Sequence, residues 1–227
     1  MIRLHITAEG QTEQAFAKTV LAPHLAKFDV FVDTRCVLTS KHRRAAKEYR
    51  GGLLTYDQAQ KDIRNWLKED KHPECRFTTM FDLYALPDDF PGYAASQAKR
   101  DKYKCVEMLE QAMAQDIGDP RFIPYIQLHE FEALILAAPQ QLAWEYLEHD
   151  KSIANLKSMT EGKNPELIND GPTTAPSKRI LAEIPEYDKV TAGPSITAKI
   201  GLDTLRKKCQ HFNEWLTRLE QLAEVKT

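Results

Sequence analysis

The fold that this sequence predicts is decided by the residues IRLHITAEGQTE (2–13). Apolar and polar residues alternate up to Ile6, which is typical of a β-strand, and Gly10 indicates a turn. We expect Thr12 to cap the helix that follows. Glu9 would then lie at the carboxyl end of a strand, where open α/β sheets place their ligand crevices. Burying an ionised carboxylate is costly unless it is paired or holds a metal, so Glu9 is either a metal ligand or a solvated or lysine-paired loop residue.

Farther along the chain, apolar β-branched runs alternate with stretches of helical period. This alternation predicts βαβ units and a mainly parallel sheet. The predicted strands lie at residues 2–7, 30–37, 77–84 and 123–128. The predicted helices lie at residues 13–28, 56–68 and 103–115. Thr55 and Gln58 form a capping box for the second helix, and Pro23 is expected to kink or split the first.

After residue 138 the pattern changes. Residues 139–157 have a helical pattern, residues 163–177 and 187–194 have the composition of loops, and residues 202–222 return to helical spacing. The sequence therefore predicts an α/β core over residues 1–138, with a helical C-terminal portion over residues 139–227 packed on it.

Composition limits the classes of partner. The 227 residues carry a formal net charge of -2 and a pI near 6.4, which gives no overall basic excess for nucleic acid. Basic residues nevertheless cluster between Lys41 and Arg50 and between Lys99 and Lys104. Such clusters are either phosphate contacts or solvated surface, and the candidate contacts are Lys41, Arg43, Arg44, Lys99, Lys178 and Arg179.

The cysteines and the apolar runs indicate a compartment. The four cysteines form no CxxC or CxxH pair, which predicts reduced thiols without a zinc site or disulfides. The longest apolar run, residues 133–138, is too short to span a bilayer, and no signal-like leader is evident. We therefore expect a soluble, cytoplasmic protein.

Acidic residues follow three of the predicted strands: Glu9, Asp82, and the pair Glu130 and Glu132. The carboxyl ends of parallel strands meet at one edge of the sheet, so these carboxylates would converge there. Carboxylate oxygens suit Mg²⁺ or Mn²⁺, and the expected chemistry is metal-assisted phosphodiester cleavage. The alternatives are an N-cap role for Asp82 and a solvent-facing position for one of the two glutamates.

Four blocks carry a resemblance to a known family. Residues 8–13 (AEGQTE), 86–92 (LPDDFPG), 127–133 (QLHEFEA) and 169–178 (NDGPTTAPSK) together resemble a bacterial Toprim-like family catalogued as domain of unknown function 4276. Toprim domains are the metal-dependent catalytic domains of topoisomerases, primases and related nucleases. The resemblance implies a Toprim-like sheet flanked by helices. It also implies a partner, an ABC/SMC-like ATPase encoded nearby in anti-phage defence loci.

The resemblance also assigns roles. It makes Glu9 the first-strand glutamate, a metal ligand or general acid/base, and Asp82 the first aspartate of a DxD pair. The second position of that pair is Tyr84, which cannot bind Mg²⁺ as a carboxylate does. Either Asp88 or Asp89, or else Glu130 with Glu132, would have to complete the site.

These observations lead to two functional hypotheses. The first is a Mg²⁺-dependent nuclease, in which Glu9, Asp82, Glu130 and Glu132 are catalytic and Glu9, Asp82 and Glu130 hold the metal. The second is a non-catalytic subunit that regulates an ATPase partner. His129 is a base, a phosphate contact or a core residue, and the lack of a P-loop disfavours ATP hydrolysis by this chain.

Overall fold

A parallel β-sheet forms the centre of the molecule. The computed structural model describes residues 1–37, 55–168, 171 and 173–224. The strands are β1 (Ile2–Ala8), β2 (Val30–Cys36), β3 (Cys75–Asp82), β4 (Phe122–Ile123) and β5 (Ile126–Gln127). They lie in the order β2-β1-β3-β4, with β5 also paired to β3, and every pairing is parallel. The predicted α/β class with a parallel sheet is confirmed.

The register aligns the carboxyl ends of the central strands. Ala8 lies opposite Cys36 on one side and Met80 on the other. The Glu9 amide donates to the Met80 carbonyl at 3.0 Å, so the pairing extends one residue past β1. Glu9, which follows β1, and Asp82, the last residue of β3, therefore lie side by side at one edge.

Two predicted strands end differently from expectation. β3 stops at Asp82, and Leu83–Ala85 form a 3₁₀ turn, so Tyr84 lies outside the strand. The predicted strand 123–128 is two short strands. Pro124 has no amide hydrogen to donate to a ladder, and Tyr125 bonds instead through its amide and carbonyl to Thr79 Oγ1, at 2.9 Å each.

The first helical segment begins earlier than predicted. α1 (Gln11–Phe16) continues through a π-helical turn (Ala17–Leu21) into α2 (Ala22–Leu25) and a 3₁₀ turn (Ala26–Phe28). The expectation that Thr12 is the cap is wrong, because Gly10 holds that position and Thr12 is buried inside the helix. The π turn directly precedes the turn that contains Pro23, whose ring cannot donate a helical hydrogen bond.

Two helices cover one face of the sheet. They are α3 (Tyr56–Glu69), which Thr55 caps by accepting from the Gln58 amide at 3.4 Å, and α5 (Lys102–Ile117). A four-residue helix, α4 (Tyr93–Ser96), precedes α5. The core on this side includes Phe77 and Phe81 of β3.

The opposite face packs against α1 and the C-terminal helices. These are α6 (Glu132–Ile135), α7 (Asp150–Thr160), α8 (Pro176–Glu183), α9 (Lys189–Ile200), α10 (Leu202–Lys208) and α11 (Gln210–Glu220), with 3₁₀ turns at Pro139–Trp144, Pro165–Leu167 and Gln221–Ala223. Leu4, Ile6 and Met80 share one hydrophobic core with these helices. The division at residue 138 stays a prediction.

Three expectations for the C-terminal portion are wrong in detail. Residues 187–194 are not a loop, because α9 begins at Lys189 and contains both Gly193 and Pro194. Residues 202–222 form two helices separated at Cys209 instead of one. The stretch 139–157 is a 3₁₀ turn followed by α7, not a continuous helix.

Gly193 is required by the close approach of α9 to the rest of the core. A Cβ atom at this position would lie 3.1 Å from Phe131 Cε1 and 3.2 Å from Thr12 Cγ2. Contacts this short are rare in folded proteins. The absence of a side chain at Gly193 therefore lets α9 lie against α1.

Candidate functional site

Four carboxylates and one lysine meet at the carboxyl edge of the sheet. We call this group the acidic site, and its members are Glu9, Glu13, Asp82, Glu132 and Lys189. Glu9 follows β1, Glu13 lies in α1, Asp82 ends β3, and Glu132 and Lys189 begin α6 and α9.

Glu9 and Glu13 are held by backbone amides. Glu9 Oε2 accepts a hydrogen bond from the Asp82 amide at 2.8 Å, which ties the end of β1 to the end of β3. Glu13 Oε2 accepts from the Gly10 amide at 2.9 Å and so completes the start of α1. Each carboxylate thereby has one oxygen fixed by the fold.

Lys189 is the shared cation of the site. Its Nζ atom lies 3.1 Å from Asp82 Oδ2, 3.5 Å from Glu13 Oε1 and 3.6 Å from Glu132 Oε2. The Tyr187 hydroxyl donates to Glu132 Oε1 at 3.4 Å. The ammonium therefore contacts acids from three different elements, while its own side chain keeps 36% of its surface exposed.

Negative charge in this site is under-compensated. Glu13, Asp82 and Glu132 are 3%, 3% and 0% exposed, and one ammonium faces all of them. Burial raises the pKa of Glu132 to about 8, against the opposing effect of Lys189. Burial and the neighbouring Asp82 raise the pKa of Glu9 well above its usual range, and they raise that of Glu13 as well. Taking up more positive charge is thus favourable at this edge.

Several oxygens of the site are available to a cation. Among the described residues, Glu13 Oε1, Asp82 Oδ1 and Glu132 Oε2 are buried and accept no hydrogen bond. Oxygen donors of this kind are those that Mg²⁺ and Mn²⁺ prefer, so the donor set fits the expected metal.

The carboxylates are not closed around a metal in this arrangement. Within the described ranges, the only three His, Cys, Asp or Glu side chains with ligand atoms mutually within 4.8 Å are His5, Asp70 and Cys75, which lie elsewhere. In the acidic site the Lys189 ammonium stands between the acids. Metal binding there would require Lys189 to move aside.

Glu130 and His129 lie next to the acidic site. Glu130 is partly buried and accepts a short hydrogen bond from the Ser177 amide in the first turn of α8. Burial raises the pKa of Glu130. His129 has a φ of 62°, which is unusual for a residue with a side chain, and burial together with Lys102 lowers its pKa to about 4. His129 is therefore neutral at pH 7.

Tyr84 lines the same region without adding a carboxylate. It is 43% exposed, its amide donates to the His129 carbonyl at 2.9 Å, and the two rings are 5.6 Å apart. Asp89 does not replace it, since both Asp89 oxygens accept from the Tyr56 amide at 3.0 and 3.1 Å. Asp88 is exposed. Glu13 and Glu132 supply the additional carboxylates instead.

The basic candidates are distributed around the molecule. Lys178 is exposed and directly follows Ser177, which contacts Glu130. Arg179 Nε donates to the Thr174 carbonyl at 2.7 Å, so part of that side chain serves the local loop. Lys99 is exposed after α4. The expectations for Lys41, Arg43 and Arg44 fall outside the described residues.

Sequence reasoning missed two members of the site. Glu13 was visible four residues after Glu9, in the first turn of the helix that follows the strand. Lys189 was hidden because Gly193 and Pro194 gave its surroundings the composition of a loop.

Comparisons with known proteins identify a family and no individual relative. The model of a family described as a domain of unknown function (DUF4276) matches residues 8–220. No curated protein and no solved structure matches the chain. The match covers every residue of the acidic site.

Proposed function

The chain belongs to the family of domain of unknown function 4276, and we propose that its acidic site binds Mg²⁺ or Mn²⁺ and hydrolyses phosphodiester bonds in a nucleic acid. The observation that carries the proposal is the meeting of three carboxylates from α1, β3 and α6 around a single ammonium, with Glu9 bonded to the Asp82 amide beside them. Three buried oxygens of these acids accept no hydrogen bond. An isolated structural ion pair needs only one acid for each base, so the surplus of acids points to a divalent ion.

The residues divide into two groups by role. Asp82, Glu13 and Glu132 offer the oxygens that would hold the ion once Lys189 has moved aside, and Glu9 orients its neighbours through the Asp82 amide. When bound, the ion supplies charge neutralisation at the phosphate and a more acidic water. Lys189, released from the acids, is long enough to contact a phosphate oxygen and stabilise developing negative charge.

Glu130 and α8 extend the site toward a substrate. Glu130 is held by the Ser177 amide, so α8 begins at the rim of the acidic site. The exposed Lys178 follows Ser177 directly and is positioned to contact a neighbouring phosphate in a nucleic acid strand. Lys99 and Arg179 remain weaker candidates for the same role.

The Toprim resemblance and the partner belong to this proposal. The position of Glu9 after the first strand and of Asp82 at the end of a neighbouring parallel strand agrees with a Toprim-like arrangement. We accordingly place the protein, as a cytoplasmic effector nuclease, in an anti-phage defence system with an ABC/SMC-like ATPase. None of the described helices is long and apolar enough to cross a bilayer.

A second candidate function is a non-catalytic regulatory subunit of such an ATPase complex. The contacts of Lys189 with three of the acids favour it, because a fixed lysine can replace a metal as the counter-charge. Tyr84 at the second DxD position favours it too. The two candidates differ in one measurable property, whether a divalent ion enters the site and supports cleavage.

The test combines metal binding with cleavage. We expect the wild-type protein, reconstituted with the ATPase encoded beside it, to cleave DNA or RNA with Mg²⁺ or Mn²⁺. Glu9→Gln and Asp82→Asn should each reduce the cleavage rate by about 10³-fold. The double variant should reduce the rate little further, because the effects of residues that act as a unit are not additive. Mn²⁺ binding, measured by electron paramagnetic resonance, should weaken in parallel.

The matched control is Asp88→Asn, which removes an exposed acid six residues after Asp82. This variant should cleave and bind Mn²⁺ as the wild type does. Cleavage that is absent in the reconstituted wild type, or that survives both substitutions, would refute the nuclease and leave the regulatory subunit. Retained Mn²⁺ binding without cleavage would support that second candidate directly.

A further inference from the structure

A second cluster of ligand-type side chains lies at the opposite end of the same strands. His5 is in the middle of β1, Asp70 directly follows α3 as its C-cap, and Cys75 is the first residue of β3. Their ligand atoms lie within 4.8 Å of one another. Cysteine, histidine and aspartate are the three residue types that bind Zn²⁺ most often.

The His5 ring is fixed in position. It stacks against Phe77 at 4.8 Å and contacts Trp66 at 4.6 Å between ring centroids, and its side chain is 8% exposed. Nε2 faces Asp70 Oδ2 at 2.9 Å. Nδ1 is buried and has no hydrogen-bond partner among the described residues, although an Asp33 oxygen lies 3.9 Å away. A metal-bound histidine commonly directs its second nitrogen toward such a carboxylate.

The Asp70 carboxylate is held in orientation by the hydrogen bonds that its Oδ1 atom accepts. Oδ1 accepts hydrogen bonds from Arg3 at 3.0 Å and from the His72 amide at 3.1 Å. Oδ2 is thereby directed at His5, on the side where the Cys75 thiol also lies. Metal-binding carboxylates typically use one oxygen to bind the metal and accept hydrogen bonds from the protein on the other.

We propose that His5, Asp70 and Cys75 form a binding site for a transition-metal ion of the Zn²⁺ class, with water as the fourth ligand. The site differs from the acidic site in its donors, because sulfur and nitrogen favour Zn²⁺ or Co²⁺ over Mg²⁺. The expectation of no zinc site rested on the absence of CxxC spacing. Here the three ligands come from two strands and a helix end, which no short motif can reveal.

The site is independent of the proposed nuclease centre. His5 precedes Glu9, which directly follows β1, by four residues, a separation of roughly 13 Å along an extended chain. Cys75 and Asp82 are likewise at opposite ends of β3. An ion bound to the cluster would join α3, β1 and β3, and its role there would be to stabilise the sheet.

Co²⁺ titration of the full chain tests the proposal. After treatment with a chelator, Co²⁺ added to the wild-type protein should produce an ultraviolet thiolate-to-cobalt charge-transfer band. The band should strengthen as the pH rises, because the buried thiol must lose its proton to the solvent. Cys75→Ser should abolish the band, and His5→Gln should lower the Co²⁺ affinity by at least the roughly 10 to 100-fold that loss of a supporting residue costs.

Cys36→Ser is the matched control, since Cys36 is a free thiol at the end of β2, away from the cluster. It should leave the band unchanged, and so should Glu9→Gln. Circular dichroism would verify that each variant is folded. A wild-type protein that shows no such band at millimolar Co²⁺, or a band that persists in Cys75→Ser, would overturn the proposal whatever the outcome for nuclease activity.

Discussion

The two ends of strand β1 present opposite electrostatic situations. At the carboxyl end, Glu9 lies among buried acids that share one ammonium. In the amino half, His5 lies 2.9 Å from Asp70, which already has an arginine and a backbone amide as partners, and 3.9 Å from the exposed Asp33. The first end has unmatched negative charge, and the second has a fully supported carboxylate. Unmatched charge is expensive to maintain for stability alone, which is why the acidic end is the better candidate for chemistry.

The pKa directions express the same difference. Burial raises the pKa of Glu132 to about 8 at the acidic end. Burial would also raise the pKa of Asp70, but hydrogen bonds from the Cys75 thiol, the His5 ring and a backbone amide outweigh it and hold the pKa well below its usual range. The two edges of one sheet should therefore respond to pH in opposite directions.

The largest expected effect is the loss of stability at the acidic edge as the pH rises. A carboxyl with a raised folded-state pKa stabilises the fold below its unfolded pKa, and this stabilisation is lost as the pH rises toward 8. In the presence of a chelator, the free energy of unfolding should fall between pH 5 and pH 8.5. Glu132→Gln should make that fall shallower by on the order of 3 kcal/mol, measured by denaturant unfolding.

The control for this measurement is Glu148→Gln, at an exposed glutamate. It should keep the wild-type slope. If Glu132→Gln also keeps that slope, Glu132 is not held protonated by burial, and the contrast between the two edges loses its electrostatic basis.

The next effect concerns the helix that delivers Lys189 to the acidic site. A Cβ at Gly193 would press on Phe131 and Thr12 at 3.1 and 3.2 Å. We expect Gly193→Ala to destabilise the fold by about 1 to 3 kcal/mol through overpacking. It should also raise Mn²⁺ affinity, because displacing α9 moves the competing Lys189 ammonium away from the acids. Ala198→Ser, on the exposed side of α9, should change neither quantity. Unchanged Mn²⁺ binding in a destabilised Gly193→Ala protein would show that the packing of α9 does not control metal binding at the acidic site.

Gly193 also shows where the sequence stops being informative. Strands β1 and β2 and helices α3 and α5 follow from apolar periodicity and local caps, and the structure confirms them. The Gly-Pro pair of α9 satisfies the local rule for a loop, yet tertiary contacts with α1 make it a helix. Long-range packing of this kind leaves no local signal in a single sequence.

The site was predictable to a similar extent. Glu9, Asp82 and the pair Glu130 and Glu132 were expected at one edge because they follow predicted strands. The structure brings Glu9, Asp82 and Glu132 together, and Glu130 bonds to the Ser177 amide beside them. Their lysine could not be found, since it is separated from Glu132 by more than fifty residues of chain. The cluster of His5, Asp70 and Cys75 was missed for the same reason, because its members converge only through the strand register.

The smallest effect should appear at the amino edge, with the opposite sign. Because hydrogen bonds hold the pKa of Asp70 low, its carboxylate stabilises the fold above the unfolded pKa near 4, and this stabilisation is lost as the pH falls. In the presence of a chelator, the free energy of unfolding of the wild-type protein should fall between pH 5 and pH 3 by about 1 kcal/mol more than that of Asp70→Asn. The difference is small because the Asp70 side chain is partly open to solvent. Asp33→Asn, which changes a 64% exposed carboxylate on the other side of His5, should follow the wild type. Identical slopes for wild type and Asp70→Asn would mean that the two ends of β1 do not differ in the way their pKa directions indicate.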